Sequence, residues 1–212
     1  MKKIDLKKEL KELYRPGTKK VSVVTVPPMN YLMINGKGDP NTAQEYREAV
    51  EVLYPLAYAL KFMLKRGEAQ LDYVVMPLEG LWWAEDMTTF SMERKDEWLW
   101  TAMIMQPPEI TQEIVDEAAE QVRKKKNPPA LDKVRFAAFD EGAVVQIMHI
   151  GPYADEAPNI ARLHQFITDN GYTRRGKHHE IYLSDPGRVT PEKLKTVIRQ
   201  PFAIENQGVE RR

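Results

Sequence analysis

The sequence has no cysteine and no net charge. The absence of cysteine excludes disulfides, thiol nucleophiles and thiolate metal sites, and it is typical of a reducing compartment, so we expect a cytoplasmic protein. The 31 basic residues balance the 31 acidic residues. No global field therefore attracts nucleic acid or an anionic membrane, and we expect neither as a partner.

The sequence also lacks long apolar segments. No run approaches the length of about 18 apolar residues that a membrane helix needs, and the first ten residues lack the apolar stretch of a signal peptide. With 212 residues, the chain is long enough to bury a sizeable core without metals or disulfides.

One pattern of predicted elements occurs twice along the chain. The spacing of apolar and turn residues predicts a short N-terminal helical arm over residues 1–20 and a single domain over residues 21–212. The two repeats of this domain span about 21–127 and 130–204. Each repeat has the predicted order β-β-α-β-β, or β-α-β-β if the first run is only a lead-in strand. Three correspondences relate the repeats: Gly36 with Gly151, Gly80 with Gly187, and Pro107 with Pro201.

Tandem repeats of this kind predict an α+β fold with pseudo-twofold symmetry. We expect the helices to pack on one face of the sheet and a ligand groove to form on the other, because junctions between such repeats are favoured ligand sites. Alternation along the strand 180–183 assigns the aliphatic Ile181 and Leu183 to the helix side, which leaves Glu180 and Tyr182 for the groove.

Aromatic residues are predicted to surround this single carboxylate. The correspondence of Gly80 with Gly187 makes Tyr73 the equivalent of Glu180, and it places Trp82 and Trp83 in a loop that forms a lid or a wall. Tyr153 follows a Gly-Pro turn and is expected at the mouth. For the strand 144–150, alternation does not decide whether the Met148 face or the His149 face lines the groove.

Two stretches carry a resemblance to a known family. Ile147-Met-His-Ile-Gly-Pro-Tyr153 with His179-Glu-Ile-Tyr-Leu-Ser-Asp-Pro186, and Tyr31-Leu-Met-Ile-Asn-Gly-Lys-Gly-Asp-Pro40 with Leu81-Trp-Trp83, resemble the stand-alone branch of the GyrI-like small-molecule-binding domains. The resemblance extends from about Val21 to Phe202. It implies a groove that binds bulky, flat, often cationic molecules on aromatic walls around one glutamate, best matched by Glu180.

The resemblance leaves two principal functions open. In a binding module, Glu180 complements a delocalised cation, and the ligand-binding residues are Tyr73, Trp82, Trp83, Tyr182, Met148 and Trp100. In a hydrolase, similar to stand-alone members that open the cyclopropane ring of DNA-alkylating natural products, Glu180 activates a water molecule and Tyr153 hydrogen-bonds the substrate carbonyl. A topoisomerase-inhibitor-like interaction role is a third, less favoured alternative.

Neither principal function requires a cofactor or a metal. The adjacent His178 and His179 would point to opposite faces of a strand, so they do not form a predicted metal site. We therefore expect an aromatic small molecule as the partner and no cofactor, and the oligomeric state is left open. The sensor members of the family carry an additional DNA-binding domain, for which the roughly twenty residues before the first predicted strand are too few.

Overall fold

The computed structural model describes residues 2–87 and 90–204. Its strands are β1 (Lys2–Ile4), β2 (Ser22–Val26), β3 (Met29–Lys37), β4 (Leu71–Tyr73), β5 (Leu78–Trp83), β6 (Leu99–Gln106), β7 (Arg135–Phe139), β8 (Gly142–Ile150), β9 (Tyr172–Arg174), β10 (His178–Tyr182) and β11 (Lys195–Ile204). The helices are α1 (Leu6–Glu9), α2 (Lys11–Tyr14), α3 (Gln44–Arg66), α4 (Gln112–Lys125) and α5 (Ala157–Asp169). In this part of the chain no helix combines the length and the apolar character needed to cross a bilayer.

A large antiparallel sheet organises the molecule. Its strand order is β2-β8-β11-β10-β5-β6-β3-β7, with β9 pairing alongside β11. The strands β10 and β5 pair at the centre, where the two halves of the chain meet. A small parallel sheet of β1 and β4 lies apart from the large one. The predicted α+β class is confirmed.

The pairing register relates the two halves of the sheet. Leu32 pairs with Ile104 in the first half, and Ile147 pairs with Ile198 in the second. These pairs are the ones expected when the correspondences of Gly36 with Gly151 and of Pro107 with Pro201 are continued along the strands. The two outer correspondences therefore agree with the register of the sheet.

The central correspondence, Gly80 with Gly187, is wrong. Ile104 pairs with Leu78, whereas Ile198 pairs with Glu180, so Leu78 is the equivalent of Glu180. Tyr73 lies in β4 of the small sheet and is 1% exposed. Sequence spacing misplaced it because Gly187, in a surface turn, was aligned with Gly80, which lies inside a strand.

The helices lie on the same face of the sheet as Glu180. Ile198, which is in register with Glu180, packs against Leu163 of α5. On the other side of Glu180, Tyr46 of α3 contacts Trp82 of β5. The prediction that Glu180 lies on the face opposite the helices is therefore wrong. The region around Glu180 between α3 and α5 is called the groove.

Both faces of the sheet are covered, which explains this error. The face that carries Ile181 packs beneath the N-terminal arm, whose Leu13 and Tyr14 belong to the same hydrophobic core. A strand can be covered on both faces and still alternate between polar and apolar residues, if one of the two covering layers is polar. The alternation separates the two faces correctly but does not reveal which of them the helices cover.

A buried ionic cluster anchors the arm to this second face. His179 contacts Glu79 through Nε2 at 2.9 Å and Glu141 through Nδ1 at 2.8 Å. Arg199 lies 3.4 Å from Glu141, and Tyr14 donates a hydrogen bond of 2.9 Å to Glu79. These five side chains are between 0% and 2% exposed.

The charges of this cluster balance when His179 is protonated. Burial alone lowers the pKa of His179, but the neighbouring Glu141 and Glu79 carboxylates outweigh it and raise the pKa to about 9. Burial likewise raises the pKa of Glu141, and His179 and Arg199 reverse that effect and lower it. Two carboxylates therefore face an imidazolium and a guanidinium, so that every charge of this cluster has a partner of opposite sign.

The cluster predicts a loss of stability at alkaline pH. The pKa of His179 is raised from 6.5 to about 9 on folding, so its stabilisation is complete below pH 6.5 and disappears as the pH rises through 9. The loss amounts to about 3 kcal/mol. In denaturant titrations across this pH range, the wild-type free energy of unfolding should fall more steeply than that of His179→Gln.

The slope difference isolates His179, because the other titrating groups are common to both proteins. The matched control is His164→Gln, since burial and then Arg174 lower the pKa of His164 to about 4, below this pH range. Equal slopes for wild type and His179→Gln would contradict an imidazolium at this position.

Candidate functional site

Glu180 lies at the centre of the sheet, on the floor between α3 and α5. It pairs with Gly80 of β5 and Ile198 of β11, and its side chain is 16% exposed. One carboxylate oxygen contacts His178 Nε2 at 3.0 Å, and the other accepts a hydrogen bond of 2.7 Å from the Tyr182 hydroxyl. Alternation along β10 places all three side chains on one face.

These hydrogen bonds determine the charge of Glu180. Burial alone would raise its pKa, but the contacts with His178 and then with Tyr182 outweigh burial and lower the pKa. Glu180 is therefore ionised at neutral pH. The Tyr182 hydroxyl also accepts a hydrogen bond of 3.1 Å from Trp82 Nε1, so an indole, a phenol and a carboxylate form one chain.

Aromatic rings surround this carboxylate. Tyr46 packs against Trp82 at 5.6 Å and stands edge-on to Trp100 at 5.1 Å between ring centroids. On the α5 side, Tyr153 meets Tyr182 edge-on at 5.5 Å. Trp100 is fully buried and forms part of the floor, whereas Tyr153 is 38% exposed and lies at the mouth.

Two further rings cover the indole of Trp82. Trp98 packs against Trp82 at 5.7 Å, and Phe90 stacks on Trp98 at 4.7 Å. Both residues belong to the connection between β5 and β6, so this connection covers part of the Trp82 indole. The rings around Glu180 thus pack on one another in edge-on and stacked contacts.

Glycines make room for the indoles. A Cβ atom on Gly36 would collide with the six-membered ring of Trp100, and a Cβ atom on Gly80 would lie 2.6 Å from Trp82 Nε1. The indole of Trp100 lies across Gly36 of the neighbouring strand β3, whereas the indole of Trp82 lies over Gly80 of its own strand β5, and both fit because the glycines carry no side chain.

A second acid, Glu156, lies beside Glu180 and was not identified from the sequence. It precedes α5, is 4% exposed, and makes no side-chain cap of the helix. Burial first, and then the charge of Glu180, raise its pKa. The two carboxyl groups are close enough for the charge of Glu180 to oppose ionisation of Glu156. An acid before Ala-Pro at a helix start has the pattern of an ordinary capping residue, so its position in the sequence did not single it out.

Three predicted ligand-binding residues lie elsewhere. Trp82 and Trp83 belong to the strand β5, not to a loop, so their side chains point to opposite faces, and the ring of Trp83 packs beneath Lys177 at 3.2 Å. Met148 also lies on the face away from Glu180, because Ile147 is the neighbour in register with it. Tyr73, in β4, is separate from the groove.

The structure therefore brings together Glu180, Tyr182, Trp82, Trp100 and Tyr153 from the predicted set. It also answers the question that alternation left open for β8, since the His149 face is the one on the groove side.

Two open cavities lie away from this cluster. One, of about 490 Å³, is lined by residues that include Lys8, Lys61 and Asp72, and the other, of about 320 Å³, by residues that include Lys37 and Glu97. Both are lined mainly by solvated charges. Within residues 2–87 and 90–204, no group of three or more His, Asp or Glu side chains is arranged to hold a metal ion.

Comparison with known proteins identifies the family of the chain. Residues 19–203 match the family model of the GyrI-like small molecule binding domain. The chain belongs to this family. The GyrI-like chain is 44% identical to a conserved protein of Listeria innocua, with a TM-score of 0.87 over 94% of this chain and 100% of the other.

A hydrolase from Listeria innocua is similarly related. It is 44% identical, with a TM-score of 0.85, and the match covers 95% of this chain and 100% of the hydrolase. The C-terminal domain of EcmrR, at 11% identity and a TM-score of 0.54 over 87% of this chain and 98% of that domain, shares the fold alone. No match is found among curated proteins.

The glycine beneath Trp82 provides a test of the groove geometry. Gly80→Ala should destabilise the protein by about 1–3 kcal/mol through overpacking and should displace the indole from Tyr182, which urea unfolding and the tryptophan emission maximum would detect. Gly17→Ala is the matched control, because a Cβ atom there would have no neighbour within 4 Å. Unchanged emission and stability in Gly80→Ala would contradict the described packing.

Proposed function

We propose that the groove between α3 and α5 binds planar, lipophilic aromatic molecules. The observation that carries the proposal is an ionised, largely buried Glu180, held by His178 and Tyr182, among aromatic rings. A flat ligand can stack on these rings without losing much conformational freedom. A cationic ligand would gain a further cation–π contribution of about 0.5–2 kcal/mol.

The fixed carboxylate gives such a site its selectivity. Both oxygens of Glu180 are already hydrogen-bonded, so its side chain is held in one rotamer. Binding of a ligand would therefore cost no further conformational entropy of this side chain. A delocalised cation is complementary to that arrangement, since it needs no hydrogen bond to replace its weak hydration. Neutral aromatic molecules would bind through the rings alone.

A planar cationic dye provides the binding test. Its affinity, followed by quenching of tryptophan fluorescence, should fall by about 10- to 100-fold in Glu180→Gln, because an interaction with a charged group is worth about 1.5–3 kcal/mol. Glu192→Gln, on the exposed segment before β11, serves as the matched control. Equal affinities of the wild-type protein and both variants would contradict a role of Glu180 in cation binding.

Hydrolysis is the second candidate, and the relationship to the Listeria innocua hydrolase favours it. The proposed substrate is an aromatic compound whose strained cyclopropane ring is conjugated to a carbonyl. In the reaction, the oxygen of water bonds to a ring carbon, a ring carbon–carbon bond breaks, and its electron pair moves through the conjugated system to the carbonyl oxygen. The net change is the addition of one water molecule.

Glu180 would act as the base in this reaction. It would accept a proton from the attacking water, and such general-base assistance is typically worth a factor of about 10²–10⁴ in rate. Tyr153 would donate a hydrogen bond to the carbonyl oxygen as negative charge develops there. Its position at the mouth, in edge contact with Tyr182, is compatible with that role.

Mass spectrometry separates hydrolysis from binding. A cyclopropane-bearing DNA alkylator incubated with the wild-type protein should gain the mass of one water, and Glu180→Gln should slow this gain by about 10²–10⁴, whereas Glu192→Gln should not. An unchanged alkylator that co-elutes with the wild-type protein would exclude this hydrolysis and leave a binding protein.

A further inference from the structure

We infer that Glu156 is a second catalytic group of the groove, the acid that gives a proton to the substrate oxygen while Glu180 takes one from water. This inference rests on the proposed hydrolysis. It assigns a separate role to a residue that the proposed function does not need for binding.

The position of Glu156 is set by the turn that leads into α5. Its backbone N–H donates to the carbonyl of Tyr153 at 3.2 Å, and its own carbonyl accepts from the N–H of Ile160 at 3.0 Å. The side chain is buried, close enough to Glu180 on β10 and Thr196 on β11 for both to affect its pKa. Tyr153, at the mouth, is three residues earlier in the same turn.

The hydrogen bonding of Glu156 is incomplete. Its Oε1 is buried and accepts no hydrogen bond from any of the described residues, and the side chain does not cap α5. The neighbouring Thr196 hydroxyl is also buried, and it opposes the rise in the pKa of Glu156 without reversing it. A buried polar atom without a partner costs stability, so folding alone does not account for an acid at this position.

The groups around Glu156 are mostly acids and phenols. The titratable side chains that face this region come from β10, from the turn before α5, from β8 and from α3, and they are Glu180, Tyr182, His178, Tyr153, His149, Tyr46 and Tyr54. His178 is engaged by Glu180 at 3.0 Å, and His149 contacts the carbonyl of Pro152 at 3.0 Å. Neither histidine therefore pairs with Glu156.

The two acids consequently share one proton. Two adjacent buried carboxylates cannot both ionise without strong repulsion, so one stays protonated. His178 and Tyr182 both stabilise the charge on Glu180, whereas burial and Glu180 oppose a charge on Glu156. The groove thus holds a carboxylate and a carboxylic acid side by side, an arrangement suited to a base and an acid.

The proton balance of the reaction closes within this pair. Water adds to the ring carbon and loses a proton to Glu180, while the breaking carbon–carbon bond sends its electrons to the carbonyl oxygen, which takes the proton of Glu156. The product then carries a new alcohol and a new hydroxyl. Transfer of the proton from Glu180 to Glu156 restores the starting state, with one water consumed.

Glu156 is better suited than Tyr153 to this transfer. Burial and the neighbouring acids Glu156 and Glu180 raise the pKa of Tyr153 to about 12, so its hydroxyl retains its proton and only donates a hydrogen bond. A carboxylic acid is a stronger proton donor even when its pKa is raised, and efficient general acids have pKa values near the operating pH.

The pH dependence of turnover tests this assignment. With a cyclopropane-bearing alkylator, wild-type kcat/KM should decline at acidic pH as Glu180 is protonated and at alkaline pH as Glu156 loses its proton. Glu156→Gln should lower kcat/KM at neutral pH by about 10²–10⁴ and should abolish the alkaline decline. Asp155→Asn, at the exposed neighbouring position, is the matched control and should retain the wild-type profile.

The outcomes separate this inference from the proposed function. No turnover by the wild-type protein would overturn hydrolysis and this inference together, while dye binding would still be judged by its own test. Turnover with a wild-type rate in Glu156→Gln, or a reduced rate with the alkaline decline intact, would overturn only the role of Glu156.

An infrared measurement keeps the inference testable if Glu156→Gln fails to fold. The wild-type protein at neutral pH should show the carbonyl band of a protonated carboxylic acid. Glu180→Gln should lose this band on a shift to moderately alkaline pH more readily than the wild-type protein, because Glu156 then lacks its charged neighbour. Absence of the band in the wild-type protein would overturn the shared proton.

Discussion

The pairing of β10 with β5 is the constraint on which the rest of the structure depends. This pairing joins the two halves of the sheet, with Glu180 opposite Gly80 and Ile181 opposite Glu79. Alternation along a five-residue strand then sends consecutive side chains into different environments. His179 and Ile181 enter the core beneath the N-terminal arm, and the residues between and beside them face the groove.

The buried carboxylates on the two faces of the sheet have different electrostatic surroundings. On the arm side, the negative charges of Glu79 and Glu141 are balanced by His179 and Arg199, and the cluster holds the arm against the sheet. On the groove side, Glu156 and Glu180 adjoin each other, and the charge of one raises the pKa of the other. The arm side thus neutralises its charges, whereas the groove side holds two neighbouring acids whose pKa values shift in opposite directions.

The sequence predicted the fold class and the face shared by Glu180 and Tyr182, because these depend on local periodicity. It did not predict that α3 and α5 lie on that same face, since periodicity distinguishes two faces without naming what covers each. Tyr73, Trp83 and Met148 were misplaced for related reasons: a glycine match chose the wrong register, a strand was taken for a loop, and one face of β8 was undetermined. Glu156 was missed because its raised pKa depends on burial and on Glu180, which is 24 residues away in the sequence.

The contacts of the arm with β8 and β11 have a consequence for the order of folding. Arg199 donates a hydrogen bond to the carbonyl of Leu13 across a separation of 186 residues, and Gln146 donates to the carbonyl of Glu12 across 134. During synthesis the arm leaves the ribosome before β8 and β11, so its polar partners follow only when most of these 212 residues have been made. Long loop closures slow folding, so we expect the arm to dock in a late step and to exclude water from the buried ion pairs only then.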